Sequence, residues 1–91
     1  MKLSKEAFVL FNDIKEAYSI EDPAGLHILR ASCEAFDTMR EAQKAVKKFG
    51  VVTMDERNRP KANPACAVER DSRAQMLAAF KLLKLDIAIE L

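Results

Sequence analysis

The sequence predicts a mainly α-helical fold: a helical hairpin of two long antiparallel helices, an N-terminal helix ahead of it, and a short β-like connector between its arms. Three observations carry this. Apolar residues recur at three- and four-residue steps over most of the chain. Two Asx-Pro pairs, Asp22–Pro23 and Asn63–Pro64, each combine a good N-cap with a residue suited to the first helical position, where no amide hydrogen is needed. Between them, Gly50 ends the helical period and is followed by "VVT", a β-branched run in an otherwise helical pattern.

Each element follows from local signals. Ser4 caps a first helix through Tyr18, with Ala7, Phe8, Phe11, Ile14 and Tyr18 on its apolar face and Phe8 and Phe11 as core anchors. "SIEDPAG" breaks it. The second helix runs from Pro23 to about Phe49, roughly 40 Å at about 1.5 Å per residue. It carries two apolar stripes, one of Leu26, Leu29, Cys33, Phe36 and Val46, the other of Ile28, Ala35, Met39 and Ala42, so it faces more than one neighbour. Gly50 ends it in a left-handed cap. Residues 50–63 form the connector, and the third helix runs from Pro64 to about Leu85. Val68, Ser72, Met76, Ala79 and Leu83 line one of its faces, with Leu77, Phe80 and Lys84 beside it. Glu69 and Arg73, four apart, can pair. The last residues, "LDIAIEL", alternate apolar and polar and read as a short strand or a frayed end.

At 91 residues the chain is one helical domain with a modest core, for which self-association is a natural way to bury more apolar surface. Fifteen cations against 14 acids leave a formal charge of +1, so any nucleic-acid contact has to come from a local patch. The longest purely apolar run, "MLAAF", is far short of the roughly 20 residues of a membrane span, and "MKLSKEAF" lacks a signal peptide's apolar stretch. Cys33 and Cys66 are isolated thiols, expected reduced and buried, and the expected location is the cytoplasm.

The sequence argues against catalysis. Its two glycines, Gly25 and Gly50, belong to no phosphate-cradling loop. His27 is the sole histidine, so neither a His-based metal set nor a Ser–His–acid triad can be built within one chain; it reads as a half-exposed structural residue. The two cysteines lack CxxC spacing. Asp55, Glu56, Glu69 and Asp71 are acids able to meet in space, the weak basis for a metal-dependent nuclease, but such carboxylates ordinarily keep a surface wet. The expectation is a non-enzyme with no cofactor and no metal.

Three basic groups remain. Lys44, Lys47 and Lys48 lie in the last turns of the second helix, and Lys81 and Lys84 late in the third; both sets complement helix C-terminal dipoles. Arg57, Arg59 and Lys61 crowd the connector beside the basic end of the second helix. Lys44, Lys47, Lys48, Arg57, Arg59 and Lys61 together are candidates for a phosphate-facing tip driven by counterion release, against the alternative of a solvated loop. No aromatic residue interleaves them, so base readout is not expected.

The succession "GLHILRASCEAFDTMREAQKAVKKFG", "VVT", a polar connector and "RPKANPACAVERDSRAQMLAAFKLLKL" resembles the small terminase subunit of tailed bacteriophages. The branch it is similar to has a long helix ending in glycine, a β-like excursion, a K-x-N/H-P step and an RDxRxQ-like helix. Here those positions are Gly50, Val51 to Thr53, Lys61, Asn63, Pro64, Arg70, Asp71, Arg73 and Gln75, over roughly residues 20 to 85. The resemblance implies a non-catalytic component of a DNA-packaging motor: a homo-oligomer, in ring form, that binds double-stranded viral DNA and regulates a large subunit carrying the ATPase and nuclease. It implies that the two apolar stripes of the second helix serve the intrachain core and the subunit interface, with Leu26, Leu29, Phe36 and Met39 as interface candidates, and that Arg70 and Arg73 are intersubunit ion-pair partners or phosphate contacts. The roughly twenty residues ahead of the hairpin are too few for the helix-turn-helix domain of many members. A rival of another class is a small helical homo-oligomeric adaptor that binds protein and no DNA.

Overall fold

In the computed structural model of the chain, residues 2–85 are described. Three helices and one two-stranded sheet follow in the order α1 (Lys5–Ala17), α2 (Pro23–Phe49), β1 (Val52–Met54), β2 (Pro60–Ala62) and α3 (Pro64–Leu82). The fold is mainly α with a short β connector, as the sequence predicts. Each cap is built by the residue expected for it. The Ala7 amide donates to the Ser4 hydroxyl oxygen at 3.1 Å, the Gly25 amide to an Asp22 carboxylate oxygen at 2.8 Å, and the Ala65 amide to the Asn63 side-chain oxygen at 3.0 Å. Pro23 and Pro64 take the first helical position behind these caps.

α2 is the central element. α3 packs antiparallel along it, and α1 covers its first half. The pairing is visible at three heights: the Asn63 side-chain amide donates to the Gly50 carbonyl at 2.8 Å, Gln43 donates to Glu69 at 3.3 Å, and at the far end Phe80 is buried in one cluster with Leu29 and Cys33. α1 is fastened by its start. The Ser4 amide donates to Asp37 at 2.8 Å, the Ser4 hydroxyl donates to the other oxygen of the same carboxylate, and Arg40 pairs with Glu6 at 2.9 Å. The result is elongated, 53 × 22 × 21 Å.

The core gathers Ala7 and Ile14 from α1, Leu29, Cys33, Ala35, Phe36 and Met39 from α2, and Met76 and Phe80 from α3, with Ile20 from the α1–α2 turn. Burying a Leu, Met or Phe side chain stabilises by about 1.5–3 kcal/mol each. Most of both stripes of α2 is therefore covered within the chain, by α1 and α3. Ser32 is fully buried and satisfied by donating to the Leu29 carbonyl at 2.6 Å. Burial pushes the neighbouring Cys33 thiol above its ordinary range, holding it protonated as a small core hydrophobe; Cys66 is half-buried rather than buried.

The structure corrects five expectations. Phe8 is not a core anchor: it is 57 % exposed, because α2 approaches α1 over Ala7 and the buried stripe is Ala7, Leu10, Phe11 and Ile14. Tyr18 lies past the helix end and is exposed. On α3 the buried row is Ser72, Met76 and Phe80, which leaves Val68 and Leu77 exposed. Gly50 ends α2 with φ 84° and ψ 173°, a glycine-favouring extended conformation rather than a left-handed helical one, so the chain leaves the helix straight into β1. α3 stops at Leu82, short of Leu85. There Lys84 adopts a positive φ of 56°, the Leu85 amide donates back to the Phe80 carbonyl at 3.2 Å, and Leu85 packs against the core. Of the expected alternating end, "LDIAIEL", all but its first residue, Leu85, lies outside the described residues.

Candidate nucleic-acid interface at the hairpin tip

The connector is a β-hairpin at the far end of the α2–α3 pair. Its strands are antiparallel, with Val52 opposite Ala62, Thr53 opposite Lys61 and Met54 opposite Pro60. Asn63 holds it to the helices: its amide donates to the Val51 carbonyl at 2.8 Å while its side chain caps α3 and reaches the Gly50 carbonyl. One buried residue thus ties the end of α2, the hairpin and the start of α3 together.

Asp55 organises the loop. Its backbone amide donates to the Arg59 carbonyl at 2.9 Å, and its carbonyl accepts from the Asn58 amide at 2.9 Å. One carboxylate oxygen accepts from the Arg57 and Arg59 amides at 2.9 and 2.8 Å; the other accepts from the Arg59 guanidinium at 3.2 Å. Asn58 closes the turn with φ 59°, a conformation asparagine tolerates well. Arg57, Arg59 and Lys61 are thereby brought around one open polar recess of 440 Å³, together with Asp55 and Glu56.

This geometry divides the six cations. Arg59 is paired with Asp55, while Arg57 stands at the loop apex and Lys61 on a strand, both exposed and with no ion pair among the described residues. Lys44, Lys47 and Lys48 stand outside the recess, on the last two turns of α2. Lys44 pairs with Glu41 at 3.3 Å and Lys48 lies over the Phe49 ring at 5.2 Å from its centroid. Three cations against two acids make the recess only mildly basic.

Because successive strand residues point to opposite faces, the pairing sorts the hairpin into two surfaces. Thr53, Lys61, Asp55 and Arg59 share a polar face. Val52, Met54, Pro60 and Ala62 share an apolar one, and all four are exposed. Phe49 and Val51 beside them are exposed as well, at 61 % and 62 %. Sequence reading missed this apolar face. Its signal was present in the alternation of "VVTM" and "RPKA", but reading it requires the register.

The other candidates are placed as follows. Leu29, Phe36 and Met39 are buried in the chain's own core, and Leu26 is half-buried against it, so α1 and α3 already occupy the area assigned to a subunit interface. Arg70 is exposed and pairs with its neighbour Asp71 at 3.3 Å. Arg73 pairs with Glu69 at 2.8 Å, as the four-residue spacing predicts, with its Nε buried and lacking a hydrogen-bond partner among the described residues. His27 is exposed near the start of α2. Among the described residues no group of three His, Cys, Asp or Glu is placed to hold a metal ion, and no helix is long and apolar enough to cross a membrane.

The family model described as phage terminase, small subunit, matches residues 15–90, which takes in α2, the hairpin and α3. No curated protein and no solved structure matches the chain. The chain belongs to the phage terminase small subunit family.

Proposed function

We propose that the chain is a non-catalytic small terminase subunit of a phage DNA-packaging motor, which assembles with copies of itself, contacts double-stranded viral DNA through its hairpin tip, and regulates a large subunit that carries the ATPase and nuclease. The match to the family over residues 15–90 is the observation that carries this reading. The tip supports it by its two faces. The polar face and loop apex present Lys61, Arg57 and Arg59 at an extremity of an elongated molecule, where backbone phosphates are reachable without steric obstruction. Repetition of so mildly basic a tip in an oligomer turns weak contacts into useful avidity. The bacterial host cytoplasm is the corresponding location.

The subunit contact is proposed to use surface that the chain leaves uncovered: the hairpin's Val52 and Met54, the adjoining Phe49 and Val51, and Val68 and Leu77 of α3, with Arg70 and Arg73 as ion-pair partners at its margin. Leu26 is the one α2 candidate not fully enclosed by the chain itself. The exposed apolar face of the hairpin also favours the second reading, a homo-oligomeric adaptor that binds protein without DNA.

Titrating labelled duplex DNA at several salt concentrations tests the tip. With Arg57, Arg59 and Lys61 all changed to alanine, affinity is expected to fall and the slope of log K against log salt to flatten by roughly two to three, about 0.9 per lost phosphate contact. Unchanged affinity removes the tip from the DNA contact. No DNA binding by the wild-type oligomer favours the adaptor.

A further inference from the structure

The outer side of α1 carries charges that run against its own helix. At about 100° per residue, Lys5, Val9, Asp13 and Glu16 fall within roughly a quarter of the helix circumference, with Phe8 at their border. All five are exposed, Phe8 and Val9 at 57 % and 52 %. Lys5 stands in the first turn and Glu16 in the last, the ends at which the helix dipole disfavours a cation and an anion respectively. The two residues that complement the dipole lie off this stripe: Glu6 is drawn to Arg40 at 2.9 Å, and Lys15 is about 100° round from Glu16. Lys2, Lys5, Asp13 and Glu16 take part in no ion pair among the described residues.

A stripe with bases at one end, acids at the other and an apolar centre is complementary to itself when reversed. Set antiparallel about a two-fold axis at Val9, two copies of α1 bring Lys5, four residues before Val9, against Asp13, four after it; Lys2 and Glu16 are likewise seven before and seven after. The Phe8 rings meet beside the Val9 pair, where an open groove of 440 Å³ lined by Leu3, Lys5, Phe8 and Arg30 among others offers them apolar surface. Each misplaced charge then faces the favourable end of the second copy's dipole. A parallel arrangement would set like charges together.

We infer that the outer stripe of α1 is a docking surface for the same stripe of a second copy, packed antiparallel about Val9. The contact goes beyond the assembly proposed above: it uses neither the hairpin nor α3, and residues 5–14 precede the segment that the family model matches. A two-fold contact closes at two copies, so it couples chains or whole rings in pairs rather than building a ring. Its apolar centre is only Phe8 and Val9 from each copy, so the pairing is weak and weakens further with salt.

Disulfide trapping on the full chain at low salt tests it, in a Cys66→Ser background that leaves the buried Cys33 as the native thiol. Val9→Cys is expected to form a covalent dimer about tenfold or more faster than Lys81→Cys, an exposed control position on α3. Adding Lys2→Glu/Lys5→Glu to Val9→Cys is expected to lower the rate to the control's, and adding Asp13→Lys/Glu16→Lys to do the same. Mixing these two charge-reversed chains in equal amounts is expected to restore the fast rate, because every facing pair is attractive again; restoration also separates lost pairing from a misfolded chain. A Val9→Cys rate no higher than the control's overturns the proposal. A rate that either charge reversal leaves unchanged overturns it too, as does a mixture that stays slow.

Discussion

Asn63 joins three elements at the base of the tip. It caps α3 through its oxygen, fixes the end of α2 through its side-chain amide, and closes the hairpin through its backbone N–H. Changing it to alanine removes a cap and leaves the Gly50 carbonyl without that donor, so stability is expected to fall by about 1–3 kcal/mol in chemical denaturation, with the backbone bond to Val51 retained. The capping half of this role was legible in "NP", because a cap involves residues two or three apart. The bond to Gly50 was not, because it exists only once the hairpin brings residues 13 positions apart into contact. Asp55 gives the same lesson. As a sequence it is an acid among bases; in the fold it holds the turn and takes up the charge of Arg59, so that the basicity of "ERNRPK" overstates what the tip presents.

Helix existence and helix starts were legible because caps and prolines act locally; which face of each helix is buried was less so, because neighbours decide it. In α1 the sequence offers Ala7 and Phe8 side by side, and hydrophobicity alone favours the phenylalanine. Close approach of α2 selects the alanine instead, and Phe8 turns outward. In α3 the apolar Val68 and Leu77 suggest one face, yet the buried row runs through Ser72, Met76 and Phe80. Two substitutions separate the faces. Met76→Ala is expected to cost about 2–4 kcal/mol, and Val68→Ala under about 1 kcal/mol, measured by urea unfolding of each variant. Equal losses at the two positions contradict the observed packing of α3.

At the scale of the whole molecule, a long helical hairpin carries a two-faced β tip at one end, and α1 begins against the middle of α2, where Ser4 meets Asp37. Most of the two stripes of α2 read in the sequence is covered by α1 and α3, and the large apolar side chains left exposed among the described residues include Val52 and Met54 of the hairpin, Val68 and Leu77 of α3, and Phe8 and Val9 of α1. A two-stranded hairpin is marginal on its own in water, and covering its apolar side by a second copy removes that weakness. No pattern in a single chain shows this division, since it depends on which strand residues stand opposite each other.

In the proposed function self-assembly joins these features, and the native mass of the purified chain at moderate salt, followed over a wide range of protein concentration, tests it most directly. The expected result is a closed oligomer larger than a dimer that persists on dilution. A monomer or dimer at every concentration contradicts it.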